Sequence, residues 1–136
     1  MADASTLAAL RAAAFAAMDN AYAPYSKFRV GAALLTTDGQ IVTGCNVENA
    51  AYPAGTCAER AAVGAAVVRG LRAFTHVVVA TEASTPTPPC GMCRQVLHEF
   101  APGCVVLSVT RGGAEAEWPL ADLLPYAFEP SSLRDA

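Results

Sequence analysis

Thr56-Cys57-Ala58-Glu59-Arg60 opens the stretch that decides the fold, and Pro89-Cys90-Gly91-Met92-Cys93-Arg94 closes it. Between them lie a segment from Ala58 to about Leu71, the run Val77-Val78-Val79 within Thr75–Ala80, and the proline-rich Glu82–Pro89. The first is apolar on most sides and predicts a buried helix; the valine run predicts a strand covered on both faces. Glu82–Pro89 reads as a rigid loop. Gly91–Phe100 predicts another helix, ending before Pro102-Gly103, and Cys104–Val109 another buried strand. Helix, strand, helix, strand is the alternation of a sheet carrying helices on its faces.

Working outward, Leu7, Leu10, Ala14, Phe15 and Met18 recur at helical spacing, predicting a helix from Ser5, its N-cap, to Asn20. Ala21–Lys27 contains Pro24 and reads as a loop. Arg29–Leu35 and Gln40–Cys45 flank Thr36-Thr37-Asp38-Gly39, where Asp-Gly signals a hairpin. Asn46–Thr56 is polar and irregular. Leu120–Leu124 reads as a short helix, and the residues beyond Leu124 as a tail. The order α-β-β-α-β-α-β over residues 1–136 implies one domain, with no repeat and no linker.

The chain is 54% hydrophobic and 15% charged, with net charge −3. So few charges imply apolar surface buried between subunits, a homo-oligomer; alanine enrichment is the other source of such a composition. Lys27 is the only lysine and the arginines are scattered, which excludes the basic stripe a polynucleotide partner requires. Five cysteines, an odd number including a Cys-x-x-Cys pair, fit a reducing cytoplasm better than a disulfide framework. Asp3 precedes the alanine-rich start and there is no basic n-region, so no signal peptide is expected. No uncharged apolar run is long enough for a bilayer.

Cys57, Cys90 and Cys93 all fall at predicted helix starts, where the dipole and unpaired N–H groups favour thiolate over thiol. Three thiolates can hold a zinc ion and leave its fourth tetrahedral position open, as a hydrolytic site requires. Glu59, two residues past the first ligand, is placed to move protons between water and an amidine-like substrate carbon, which implies a deaminase. Three thiolates overcompensate the ion's charge. At least one of Arg60 and Arg94 is therefore expected to hydrogen-bond a ligand sulfur. Two alternatives stand beside this reading: a closed structural site with Cys104 as fourth ligand, and a Cys90–Cys93 redox pair. Cys45, His76 and His98 read as structural.

In these motifs the chain resembles the cytidine deaminase family, in its small, homotetrameric, three-cysteine branch. The resemblance spans Tyr22–Ala32, Asn46–Tyr52, Cys57–Arg60, Pro89–Gln95 and Leu123–Phe128. It implies a three-layer α/β/α sandwich with a mixed sheet of about five strands, and one zinc per subunit held by Cys57, Cys90 and Cys93. It further implies Glu59 as proton shuttle, in hydrolytic deamination of cytidine and 2′-deoxycytidine for pyrimidine salvage. Asn46 and Glu48 resemble the pair that binds the ribose 3′-hydroxyl, and Phe28 the aromatic on the pyrimidine. Ala58 matches a backbone contact to the base. Arg60 and Gln95 match positions beside the ligand thiolates, and Tyr52 and Phe128 positions that reach a neighbouring subunit's site. Each substrate residue has a plainer reading: Phe28 as core, Asn46 and Glu48 as loop caps, Phe128 as a packing anchor. Pro88 stands where a serine commonly precedes Pro-Cys, and Pro53 and Gly55 reshape the loop before Cys57. A blasticidin-S deaminase shares the Cys-x-Glu and Pro-Cys-x-x-Cys parts and is the nearest rival.

Overall fold

Valine and alanine runs fill the middle of one five-stranded sheet, in the order β2-β1-β3-β4-β5. The structure is a computed structural model and describes residues 2–134. Its strands are β1 (Val30–Thr36), β2 (Ile41–Cys45), β3 (Phe74–Thr81), β4 (Val105–Thr110) and β5 (Glu115–Pro119). Helices α1 (Ala4–Met18), α2 (Ala58–Val68), α3 (Gly91–Phe100), α4 (Leu120–Leu123) and α5 (Pro130–Arg134) surround it, with a short 3-10 turn at Tyr52–Ala54. Only β3 and β4 pair in parallel; β1 pairs antiparallel with both β2 and β3, and β4 with β5. The expected mixed α/β sheet with helices on both faces is what forms.

Alternation along the strands builds two cores. On one face Ala33, Leu35, Val78, Ala80, Leu107 and Val109 pack with Leu10, Ala14 and Met18 of α1. On the other, Ala32, Leu34, Val77, Val79 and Val106 pack with Ala58, Ala62, Val63 and Ala66 of α2 and with Leu97 of α3. Fully burying one such aliphatic side chain stabilises by about 1.5–3 kcal/mol.

The helices that carry the cysteine motifs owe their positions to backbone geometry. β2 and β3 both run antiparallel to β1, and so parallel to each other. The connections β2-α2-β3 and β3-α3-β4 therefore cross in the same direction along the sheet. Parallel crossovers share one handedness, so both helices land on one face with their N-termini at the strands' carboxyl ends. Two glycines bring helix and strand backbones together. A Cβ on Gly44 would lie 2.4 Å from the Ala62 nitrogen and 2.5 Å from the Ala58 carbonyl; one on Gly31 would lie 2.0 Å from the Ala14 carbonyl.

Several boundaries differ from the sequence reading. Asp3, not Ser5, caps α1: its carboxylate accepts the Thr6 N–H at 2.8 Å, an Asx cap that the alanine run conceals. That helix ends at Met18 rather than Asn20. α2 stops at Val68 rather than Leu71, because Gly70 turns left-handed (φ 78) and closes a Schellman pair, Gly70 N–H to Val67 O and Leu71 N–H to Ala66 O. β5 is an addition to the expected elements; its Glu115-Ala116-Glu117-Trp118 alternates exposed and half-buried, as a polar edge strand does. α5 lies in the segment expected to be a tail. No helix among the described residues is long and apolar enough to cross a membrane.

Gly44→Ala should push α2 off β2 and cost about 1–3 kcal/mol or more, the range for inserting a methyl into a packed contact. Urea unfolding at equilibrium reads it, and a shift within a few tenths of a kcal/mol would refute the close-approach argument.

Candidate metal centre and cleft

Cys57 is the N-cap of α2 and Cys90 the N-cap of α3, and neither side chain is spent on capping its helix. Cys93 sits in the first turn of α3, fully buried. The three sulfurs lie within 4.8 Å of one another, with Cys57 Sγ and Cys90 Sγ 3.8 Å apart. Ligands about 2.3 Å from a tetrahedral zinc stand about 3.8 Å apart, so the cluster fits that ion. Among the described residues it is the one group of three or more candidate ligands, and Cys104 lies outside it. Burial pushes the Cys104 thiol up to about 11, as befits an inert core cysteine.

The electrostatics around the sulfurs are uneven. Burial, then the charges of Glu59 and Cys57, push the Cys93 thiol far up. At Cys90 burial acts the same way, but hydrogen bonds from the Cys93 backbone and thiol outweigh it and bring that thiol below its ordinary value. A cation in the centre would relieve this repulsion directly. Arg60 leans on the same cluster, its Nη2 3.6 Å from Cys57 Sγ and 3.5 Å from the Gly55 carbonyl. Arg94 does not: it donates to the Pro89 carbonyl at 2.7 Å and the Leu123 carbonyl at 2.9 Å, tying the ligand loop to the end of α4. One arginine of the expected pair thus faces a sulfur, and the other braces the loop.

Glu59 is only 4% exposed. Burial holds its carboxyl well above the usual range, against the pull of its own backbone N–H and of Arg60. It forms part of the floor of a cleft of about 250 Å³ lined also by Cys57, Ala58, Cys90, Phe28, Asn46 and Glu48. Phe28 is 40% exposed and belongs to the cleft wall rather than the core. Asn46 bridges two backbone groups, accepting the Val30 N–H at 2.8 Å and donating to the Phe28 carbonyl at 2.8 Å. Glu48 accepts the Tyr25 and Ser26 amides, each at 3.0 Å, and the Ser26 hydroxyl.

The remaining candidates lie apart from this cleft. Tyr52, 76% exposed, packs edge-on against Tyr25 and lines an adjoining hollow of about 370 Å³ that shares Ser26 and Glu48. Phe128 is 58% exposed and does not line the cleft. Gln95 reaches its carbonyl at 2.9 Å rather than a thiolate. The cleft also includes Ser26, Thr87 and Pro88, which sequence reasoning does not assign to a site. A serine two residues before the wall aromatic is the signal for Ser26, since such hydroxyls bond the local backbone. The Thr87 carbonyl is held by the Ser108 hydroxyl at 2.8 Å, a contact between distant segments that leaves no local signal.

The family model for the cytidine and deoxycytidylate deaminase zinc-binding region matches residues 4–109. A cytidine deaminase of Sporosarcina psychrophila is 48% identical over 119 residues, covering 86% of this chain and 87% of its own. The crystal structure of cytidine deaminase from Burkholderia pseudomallei superposes with a TM-score of 0.86 at 47% identity, covering 89% of this chain and 98% of that one. A blasticidin-S deaminase of Bacillus cereus is more distant, 30% identical over 111 residues, with 76% and 79% covered.

Replacing Cys57, Cys90 or Cys93 by alanine should each abolish tight zinc retention, while Cys104→Ala retains it. Arg60→Ala should weaken it about 10–100-fold, as loss of a ligand's hydrogen-bond partner does. Competition against a chromogenic chelator measures all five; zinc loss in Cys104→Ala would restore the closed four-cysteine site.

Proposed function

This chain belongs to the cytidine and deoxycytidylate deaminase family, and we propose that it hydrolyses cytidine and 2′-deoxycytidine to uridine and 2′-deoxyuridine, releasing ammonia. Its relatives place it among hydrolases of the cytidine deaminase kind. One observation carries the reading: a buried carboxyl and two sulfurs of the three-cysteine cluster line a cleft whose wall offers an aromatic ring, an amide and a carboxylate.

Cys57, Cys90 and Cys93 hold one zinc per subunit. When bound, zinc would supply Lewis acidity that lowers the pKa of water to about 7. Every other part of the chemistry belongs to the chain. Glu59 takes one proton from the attacking water and delivers it to the pyrimidine ring nitrogen, then carries the second proton, from the hydroxyl added at C4, to the amine, which leaves as ammonia as the C4 carbonyl forms. Its burial suits this work, because a carboxyl whose neutral form is favoured holds a proton until the substrate takes it. The Ala58 backbone meets the base and Phe28 packs on the ring. Asn46 and Glu48 bind the sugar 3′-hydroxyl. Arg60 offsets the excess charge of the thiolates, with Gln95 on the helix that carries Cys93.

A homotetramer is part of the proposal. Tyr22, Tyr25, Tyr52, Tyr126 and Phe128 are all roughly half exposed or more, a density of aromatic surface that supports burial against neighbouring copies. Tyr52 and Phe128 then complete a neighbour's site. The proposal also takes residues 1–136 as one domain, and the role as pyrimidine salvage in the cytoplasm, where the five free cysteines stay reduced.

The blasticidin-S reading is favoured less, since identity falls from 48% to 30% between the two relatives. Incubating zinc-loaded protein separately with cytidine and blasticidin S, and following ammonia, decides between them. Release from cytidine is expected; release from blasticidin S alone would overturn the substrate assignment. Glu59→Gln should keep its zinc and lose about 10²–10⁴-fold in kcat. A near-normal rate in that variant would remove Glu59 from the proton path.

A further inference from the structure

The cleft wall is assembled on one hydroxyl. Ser26 Oγ donates to Glu48 Oε2 and accepts the Phe28 N–H at 3.0 Å. A serine hydroxyl has one proton to give, and this one goes to an acceptor-only carboxylate. Between Ser26 and Phe28, Lys27 is held left-handed at φ 61, a conformation uncommon for a residue with a Cβ. The turn is closed by the Lys27 N–H to the Ala23 carbonyl at 3.1 Å. On the same wall Asn46 takes the other side of the same residue, donating to the Phe28 carbonyl at 2.8 Å. The Phe28 backbone is thus gripped at both its N–H and its C=O.

We propose that Ser26 is a positioning residue, whose hydroxyl sets the Glu48 carboxylate and the Phe28 ring in mutual register for the nucleoside. This rests on the deaminase reading of the cleft and deepens it. An ionised carboxylate offers about four acceptor positions. Three are taken here, by the Tyr25 N–H, the Ser26 N–H and the Ser26 hydroxyl, which leaves one for a ligand hydroxyl. The Ser26 hydroxyl is also the largest influence holding the Glu48 carboxyl below its ordinary range, which favours the acceptor-only form. Without it the carboxylate keeps its two backbone donors but loses its link to the aromatic wall. The sugar-binding carboxylate and the base-binding ring are then held in register only through the remaining backbone bonds, and less tightly.

The test is a double-mutant cycle on the zinc-loaded enzyme with cytidine. Ser26→Ala should raise KM about tenfold with kcat changed less than about twofold, since a contact made equally in ground and transition states acts on KM. Ser26→Thr, which keeps the hydroxyl, should restore KM to within about twofold. In the Glu48→Ala background, Ser26→Ala should cost no more than about twofold, because the group it positions is gone. Equal penalties in the two backgrounds, or a Ser26→Ala enzyme with wild-type KM, would overturn the proposal while leaving the deaminase reading intact. No ammonia from cytidine with the wild-type enzyme would overturn both. Zinc content and melting temperature monitor the fold; if Ser26→Ala proves unstable, Ser26→Cys, with its weak thiol donor, is judged by the same criteria.

Discussion

Two parallel crossovers that step in one direction along the sheet are the constraint from which the site derives. They place α2 and α3 on a common face and bring both N-termini to the carboxyl ends of the strands. That edge is where open α/β sheets bind ligands, because unpaired N–H groups and helix dipoles converge there. Cys57 and Cys90 are the cap residues of those two helices, so their separation of 3.8 Å is a property of topology before it is one of side chains. Gly44 sets the remaining coordinate. It lets α2 lie against the β2 backbone, which sets how closely the helix carrying Cys57 and Glu59 sits on the sheet.

The same convergence creates an electrostatic problem that explains the site's composition. Three sulfurs and a buried carboxyl share one small volume, and burial pushes both the Cys93 thiol and Glu59 toward their neutral forms. Two helix N-termini and Arg60 supply positive potential, but none of them sits at the centre of the cluster. A divalent cation would. Glu59 and the sulfurs would thus take opposite roles from a common cause: an ion would turn the sulfurs into thiolates, while the carboxyl, outside the proposed ligand set, would remain a proton carrier.

The sequence is most legible where residue type and backbone geometry coincide. Cysteines at helix starts, a valine run, and Asp38-Gly39 between two strands each carry their own local signal. Glu115–Pro119 is not legible, because an edge strand exposed on one side needs no hydrophobic run and this one alternates two glutamates with half-buried residues. The Asp3 cap is hidden for a related reason: an alanine-rich helix extends as far as its first capping group, and Ser5 offers a nearer one. Of the site, the metal cluster and Glu59 can be read from spacing, since helix phase fixes them. The family resemblance rather than spacing supplies Phe28, Asn46 and Glu48. Their structural partners, Ser26 and the amides of Tyr25 and Val30, come from segments whose conformation no periodicity encodes.

That difference in legibility reflects two ways of building precision. The cluster is rigid because its residues belong to helices packed on a sheet buried on both faces. The opposite wall belongs to segments without regular structure, and it achieves rigidity by saturating hydrogen bonds. Tyr22 and Val47 form an isolated bridge, Val47 pairs with Thr56, and Asn46 and Glu48 on either side of Val47 reach back to the loop before β1. Irregular backbone so tied gains the fixed geometry that a binding wall requires while staying open to solvent on its far side. The exposed aromatics Tyr25 and Tyr52 line the adjoining hollow, which shares Ser26 and Glu48 with the cleft. A second chain packed there would bury the loop pair without disturbing the bonds that shape the cleft, so assembly would close the site by exclusion of water rather than by rearrangement.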